Sequence, residues 1–265
     1  MVARNLGSTG DPRPAGGADS AGQPWDGREF EANEWSDDDG LTPERLFEAL
    51  RRFRSSELGV EEVVEAVRDS RLLIPLIAEL GEAGESASGH LIDKSQELSI
   101  VTVGGPDGRT VLPVFTSAAT MAAWNSDARP VPAEGTRVAL AAASESTDLV
   151  VIDPTSSTEF VIRRPALWAL AKGESWIPSY KDVEVLDAFA TTASSESAVQ
   201  SIALAAGDPW ATLAGPEIVV LLTLVNGLDR DELRAVIARL QALWSTNEII
   251  ANRVDSLRVQ LVAAA

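Results

Sequence analysis

Leu46, Phe47, Leu50 and Phe53 fall on one face at helical spacing. Thr42-Pro43 just ahead of them offers an N-cap oxygen and a proline suited to the first helical position. A second stripe, Val60, Val63, Val64 and Val67, predicts another short helix. Residues 71–77 form an apolar run of strand length; Pro75 lacks a backbone donor there, which predicts an edge strand or a bulge. Residues 97–103 alternate and then run apolar, and residues 110–115 return in the same style. Between them Gly104-Gly105-Pro106-Asp107-Gly108 is turn chemistry, so the two runs are predicted to form a hairpin.

Thr116-Ser117 then reads as an N-cap for a short helix carrying Met121, Ala122 and Trp124. Residues 128–132 must be extended because each proline biases its predecessor away from the α region. An alanine-rich helix at 136–144, strands at 149–153 and 159–162, and a helix at 165–172 closed by Gly173 follow. Residues 176–215 are mixed, interrupted by Pro178 and Pro209, and read as a connecting region with one short helix at 183–189. Residues 217–225 are almost continuously apolar, the mark of a strand covered on both faces and lying inside a sheet. Asn226-Gly227 turns the chain, and Asp229 with Glu232 three positions on is arranged as a capping box. Leu233, Val236, Ile237, Leu240, Leu243 and Trp244 make a helical stripe; a short helix at 247–254 and an alternating strand from Leu257 end the chain. The pattern predicts an α/β (α+β mixed) fold, a mixed β-sheet flanked by helices with a C-terminal β-α-α-β unit. Its divisions are an acidic tail at 1–40, an α/β domain at 41–175, the connecting region at 176–215 and the C-terminal unit at 216–265.

Composition narrows the chemistry. With 22 Lys+Arg against 40 Asp+Glu the net charge is −18, which disfavours nucleic acid and anionic membrane as partners. Zero cysteines exclude disulfides, thiolate metal sites and cysteine nucleophiles, and a single histidine, His90, excludes multi-histidine metal sites within one chain. No cofactor or metal site is expected: Asp37-Asp38-Asp39 lacks the spacing of a calcium loop. His90 ends the loop GEAGESASGH and reads as a solvent-exposed loop residue. Residues 1–40 have almost no aliphatic side chains, so they are expected to be a flexible tail; Trp25, Phe30 and Trp35 interrupt it and read as loosely docked on the chain's own surface. No apolar block of a secretory leader opens the sequence, and the 218–225 run is far short of the roughly 20 residues that span a membrane. A cytoplasmic protein is therefore expected.

One stretch resembles a known family: Val103-Gly-Gly-Pro-Asp-Gly-Arg-Thr-Val-Leu-Pro-Val-Phe-Thr-Ser117, with Trp124, Ala128-Arg-Pro-Val-Pro132, Leu149-Val-Val-Ile-Asp-Pro154 and Phe160-Val-Ile-Arg-Arg-Pro165. In that order these elements resemble the SseB N-terminal domain family, whose bacterial members are called enhanced-serine-sensitivity or SseB-like proteins. The resemblance covers about residues 70–175. The layout is most similar to actinobacterial versions, in keeping with 19 arginines against 3 lysines. It implies an α/β fold and attaches no enzymatic activity.

Candidate site residues gather in the same stretch, because residues 101–140 sum to zero charge and hold three arginines. Asp107, Arg109, Thr116, Ser117, Trp124, Arg129 and Asp153 are polar or aromatic where hydrophobic periodicity does not require it. Asp153 follows an apolar strand, where open α/β folds build sites, and an arginine fork with a helix start suits a carboxylate or phosphate. The structural alternative gives each a local role, in which Asp107 shapes the hairpin, Thr116 or Ser117 caps the helix, and Arg129 pairs with an acid such as Asp153. The reading that follows is a non-catalytic binding or regulatory protein with a protein partner or self-association through Trp124 and Arg129-Pro-Val-Pro132. The alternative is a sensor of small anions or amino acids using Arg109 and Arg129; a hydrolase built on Ser117 and Asp153 is a third class.

Overall fold

The computed structural model describes residues 38–79 and 97–263. The tail aromatics Trp25, Phe30 and Trp35, the loop at 81–90 and His90 lie outside the described residues.

Two amphipathic helices open the fold, α1 (Glu44–Arg54) and α2 (Val60–Arg68). Leu46, Leu50 and Phe53 are buried as their spacing predicts, whereas Phe47, on the flank of that face, is 50% exposed. The expected cap is displaced by one residue. Pro43 is still extended (φ −55°, ψ 128°) and precedes the helix, while Thr42 Oγ1 lies 3.0 Å from Thr116 Oγ1.

Strand β1 (Arg71–Glu79) pairs antiparallel with β2 (Glu97–Ile100) on one side and with β5 (Arg129–Glu134) on the other, so it is central. The edge position expected from Pro75 is therefore not found, and the geometry explains why. Leu73 exchanges both backbone hydrogen bonds with Phe115 (2.8 and 2.9 Å), so by alternation Pro75 faces that same side. Pairing with β2 begins only at Leu76, and the missing donor falls in the gap. The run at 97–103 divides between two sheets: β2 joins β1, and β3 (Val103–Gly104) makes the short hairpin with β4 (Thr110–Val114).

A second sheet has the order β3-β4-β6-β7, with β6 (Val150–Ile152) parallel to β4 and β7 (Phe160–Ile162) antiparallel to β6. The crossover from β4 to β6 carries α3 (Ala118–Trp124), β5 and α4 (Gly135–Ser144). At the start of α4 a Cβ on residue 135 would lie 2.2 Å from the Val67 carbonyl oxygen, so only glycine lets α4 seat against α2. Helix α5 (Arg164–Lys172) ends at Gly173 with φ +71°, a left-handed stop.

Within the stretch read as a connector, the short helix expected at 183–189 is present and runs further, and a strand follows it. Helix α6 (Val183–Ser194) caps on Asp182, and β8 (Val199–Ala206) pairs antiparallel with β9 (Ile218–Leu224). Helices α7 (Arg230–Thr246) and α8 (Glu248–Arg253) return the chain to β10 (Leu257–Val262), parallel to β9, so the β-α-α-β unit is present. The Asp229–Glu232 capping box forms: Asp229 Oδ1 accepts the amides of Asp231 and Glu232, and the Asp229 amide donates to Glu232 (2.9 Å). Order β10-β9-β8 makes β9 central and keeps this sheet separate from the other two. Ile218, Val220 and Leu222 pack on the helix side with Phe189, Leu240 and Trp244, and on the other face Val219 is buried as well (6% exposed) while Leu221 is half-buried.

Two main cores result. The larger joins α1, α2, α4 and α5 to β1, β4, β6 and β7; the other belongs to the C-terminal sheet. Described residues from Asp39 onward pack as one unit, and a chain of ion pairs crosses between the two cores. No helix among the described residues is long and apolar enough to cross a membrane.

Candidate functional site

Asp153 sits just past β6 with φ +46°, and its side chain is a hub. Its carboxylate accepts the Thr116 amide (2.8 Å) and hydroxyls from Thr116 (2.7 Å), Thr120 (3.0 Å) and Thr158 (2.9 Å). It is 1% exposed and pairs with no arginine, so the expected Arg129–Asp153 pair does not form. Ser117 Oγ accepts the Thr120 amide (3.1 Å) as the cap of α3, a structural role. Trp124 packs at 5.2 Å on Phe115. Arg129 is exposed at the start of β5 and makes no side-chain hydrogen bond or ion pair among the described residues.

Arg109 is engaged elsewhere. The Asp107 side chain accepts the Arg109 amide (3.1 Å) and Nε (2.8 Å), which closes the hairpin turn. The terminal fork of Arg109 grips Asp255 bidentately at 2.8 and 3.0 Å. Asp255, just after α8 and almost fully buried, also receives Arg163 Nη1 (3.0 Å). Arg163 Nη2 in turn donates to Asp208 (2.7 Å) and to the Gly215 carbonyl (2.8 Å). The chain Asp107–Arg109–Asp255–Arg163–Asp208 thus runs across the seam between the cores. Burial opposes ionisation of Asp255, but the two guanidiniums hold its pKa below the ordinary carboxylate value; Arg109 is raised by the same pairs against its own burial.

Glu217 closes the seam, accepting Ser179 Oγ and the Asp255 amide, both at 2.5 Å. Burial pushes its carboxyl pKa up, outweighing those two bonds. A concavity opens beside it. An inner pocket of about 40 Å³ has Arg163, Asp208 and Glu217 among its lining and Trp176 and Tyr180 at its wall. A wider groove of about 250 Å³ continues from Tyr180 and Ala206 to Pro209 and Trp210, which is 48% exposed.

The predicted residues therefore separate into three places: Thr116, Ser117 and Asp153 in the hydroxyl hub, Asp107 and Arg109 in the seam, and Trp124 and Arg129 apart from both. Sequence reasoning misses Trp176, Tyr180 and Trp210. A signal for them exists, since two of the chain's seven tryptophans and its one tyrosine fall between 176 and 210, a stretch that reads as connector. Among the described residues no group of three or more His, Cys, Asp or Glu side chains is placed to hold a metal ion.

Residues 46–169, from within α1 to within α5, match the family model described as SseB protein N-terminal domain. The comparisons with curated proteins and with solved structures give no match. Arg109 and Arg163 lie inside the matched span; Asp255, Glu217, Tyr180 and Trp210 lie outside it.

Proposed function

We propose, from the match of residues 46–169 to the SseB N-terminal domain model and from the groove, that the protein is a non-catalytic binding protein whose partner is another protein, received in the aromatic groove on the seam. The size and lining of that groove carry the reading. Pockets that enclose a small molecule run to about 300–1,000 Å³. Here about 40 Å³ lies inside and about 250 Å³ outside, room for water and one large side chain of a docked segment. Trp210 and Tyr180 offer large, stiff apolar area with a polar tip, the side-chain types that concentrate binding energy in protein interfaces. The charged floor is already matched: four donor contacts of Arg163 go to Asp255, Ser256, Asp208 and Gly215, which leaves little for an anion to gain.

The other readings lack free groups. An anion clamp of Arg109 and Arg129 needs two open forks, and Arg109 already holds Asp107 and Asp255 with its own. A hydrolase needs Ser117 activated, but its Oγ serves Thr120, and Asp153 holds four donors.

The test is capture of partners by the immobilised full chain from native lysate, quantified for wild type, Trp210→Ala, Tyr180→Ala and Arg129→Ala. A partner retained by wild type and Arg129→Ala and lost at least tenfold with Trp210→Ala is expected, given hot-spot losses of about 2 kcal/mol or more. A partner lost with Arg129→Ala but kept by both aromatic variants would move the docking surface to β5.

A further inference from the structure

The sheet edges of this protein are guarded unequally. On β5, Pro130 and Pro132 stand opposite Pro75 and Leu73. Leu73 turns its backbone groups to Phe115, so Pro132, and by alternation Pro130, face the open side, which is left without those two donors. β10 carries Arg258 and Gln260, and β3 and β7 are two and three residues long. All of these blunt strand addition.

β8 is different. Its eight residues, VQSIALAA, hold no charge and no proline, and no strand among the described residues pairs with its outer side. The Gly207 amide donates to the Glu217 carbonyl, which fixes the alternation: residues 201, 203 and 205 bond β9, and Ile202, Leu204 and Ala206 turn their N–H and C=O outward. Ile202 and Leu204 are also half-buried members of the C-terminal core at its rim.

We propose that β8 pairs antiparallel with β8 of a second copy of this chain about a two-fold axis at Ala203, joining two three-stranded sheets into one. Ile202 then meets the partner's Leu204, so each core is continued by the other, and Ala203 meets its own copy. Self-complementarity selects this occupant: the two-fold sets Ile202 against Leu204 twice, and β8 and β9 contain no ionisable side chain, so the paired strands themselves oppose no like charges although each chain carries −18. At most seven residues pair, 200–206, with the outermost pairs set at the register shift between Val199 and Ser201, so the seam is no longer than ~24 Å and, with the helix layer behind it ~15 Å deep, at most about 700 Å² is buried in total. That is below the ~1,200 Å² of a standard stable interface, so the dimer should dissociate in the micromolar range.

Sedimentation equilibrium of the full chain from 2 to 200 µM tests this. Wild type should show a monomer–dimer equilibrium that tightens severalfold from 50 to 500 mM NaCl as repulsion is screened. Ala203→Glu, at an exposed position, sets like charges opposite each other and should raise the dissociation constant at least tenfold with an unchanged far-UV spectrum. Ala206→Pro removes an outward donor without charge and should weaken the dimer too. Gln260→Glu on β10 should leave it unaltered. A wild type monomeric at 200 µM overturns the proposal and leaves the edge to a foreign strand; a dimer indifferent to both β8 variants overturns it as well.

Discussion

A non-glycine residue at φ +46° costs about 1–2 kcal/mol, and Asp153 adopts it where it ties Thr116, Thr120 and Thr158 to the end of β6. Glu217 is the residue whose charge state matters most to the seam. Its folded pKa is raised above the ordinary 4.5, so the folded state holds the proton more tightly than the unfolded chain does. The resulting stability is full below about pH 4.5 and is lost as pH rises through the raised folded value. In Glu217→Gln the amide oxygen can still accept the Asp255 N–H, and Ser179 can turn its hydroxyl to accept. Urea unfolding at successive pH values should show wild type losing stability relative to Glu217→Gln from pH 4 to pH 7. A difference independent of pH would contradict the burial argument.

Among the elements, Gly135 decides whether α4 can seat. Gly135→Ala places a methyl 2.2 Å from the Val67 carbonyl oxygen and 2.8 Å from its carbon, backbone atoms that cannot swing away. A loss of about 1–3 kcal/mol by denaturant unfolding is expected, against little for Gly104→Ala, whose Cβ would meet nothing within 4 Å. The elements legible in the sequence are those with a complete local signal. α7 has both cap and stripe, and β5 is extended because its prolines allow nothing else. α6 and β8 are less legible: the helix buries only Val185, Ala188, Phe189 and Ala193, and the strand's alternation is diluted by alanine. Pro75 misleads because a missing donor is written in the sequence while the direction it faces is set by Phe115, forty residues on. The split of 97–103 between two sheets likewise depends on partners that the run itself does not name.

At the scale of the molecule, the seam joins the two cores through a buried ion chain as well as apolar contact, since Ala211 and Leu213 of the β8–β9 connection pack with residues of the first half. Asp255 is the shared acid, so Asp255→Ala leaves Arg163, whose side chain is 9% exposed, with Asp208 as its one remaining acid, and leaves the wetter Arg109, 37% exposed, with Asp107. Breaking a buried pair costs about 3–5 kcal/mol, and Arg109→Ala, at the wetter end, should cost much less. Comparable losses for the two by urea denaturation would mean that the seam is open to water. The candidate site is only partly legible at this scale. Arg109 stands out in a neutral segment beside Asp107, but its second counter-ion, Asp255, lies 146 residues away and belongs to no motif. The groove needs Tyr180, Trp210 and Arg163 side by side, and that adjacency is a product of the fold.

The distance along the chain between Arg163 and Asp255 also sets an order of events during synthesis. The acid is made 92 residues after the arginine. At about 5–20 residues per second, the ribosome needs about 5–18 s more to supply it. Over that interval the nascent matched domain has its apolar core in hand, but Arg109 has only Asp107 and Arg163 still lacks Asp255, so that face stays hydrated until the chain is nearly finished. A fragment ending at α5 is held in that unfinished state permanently.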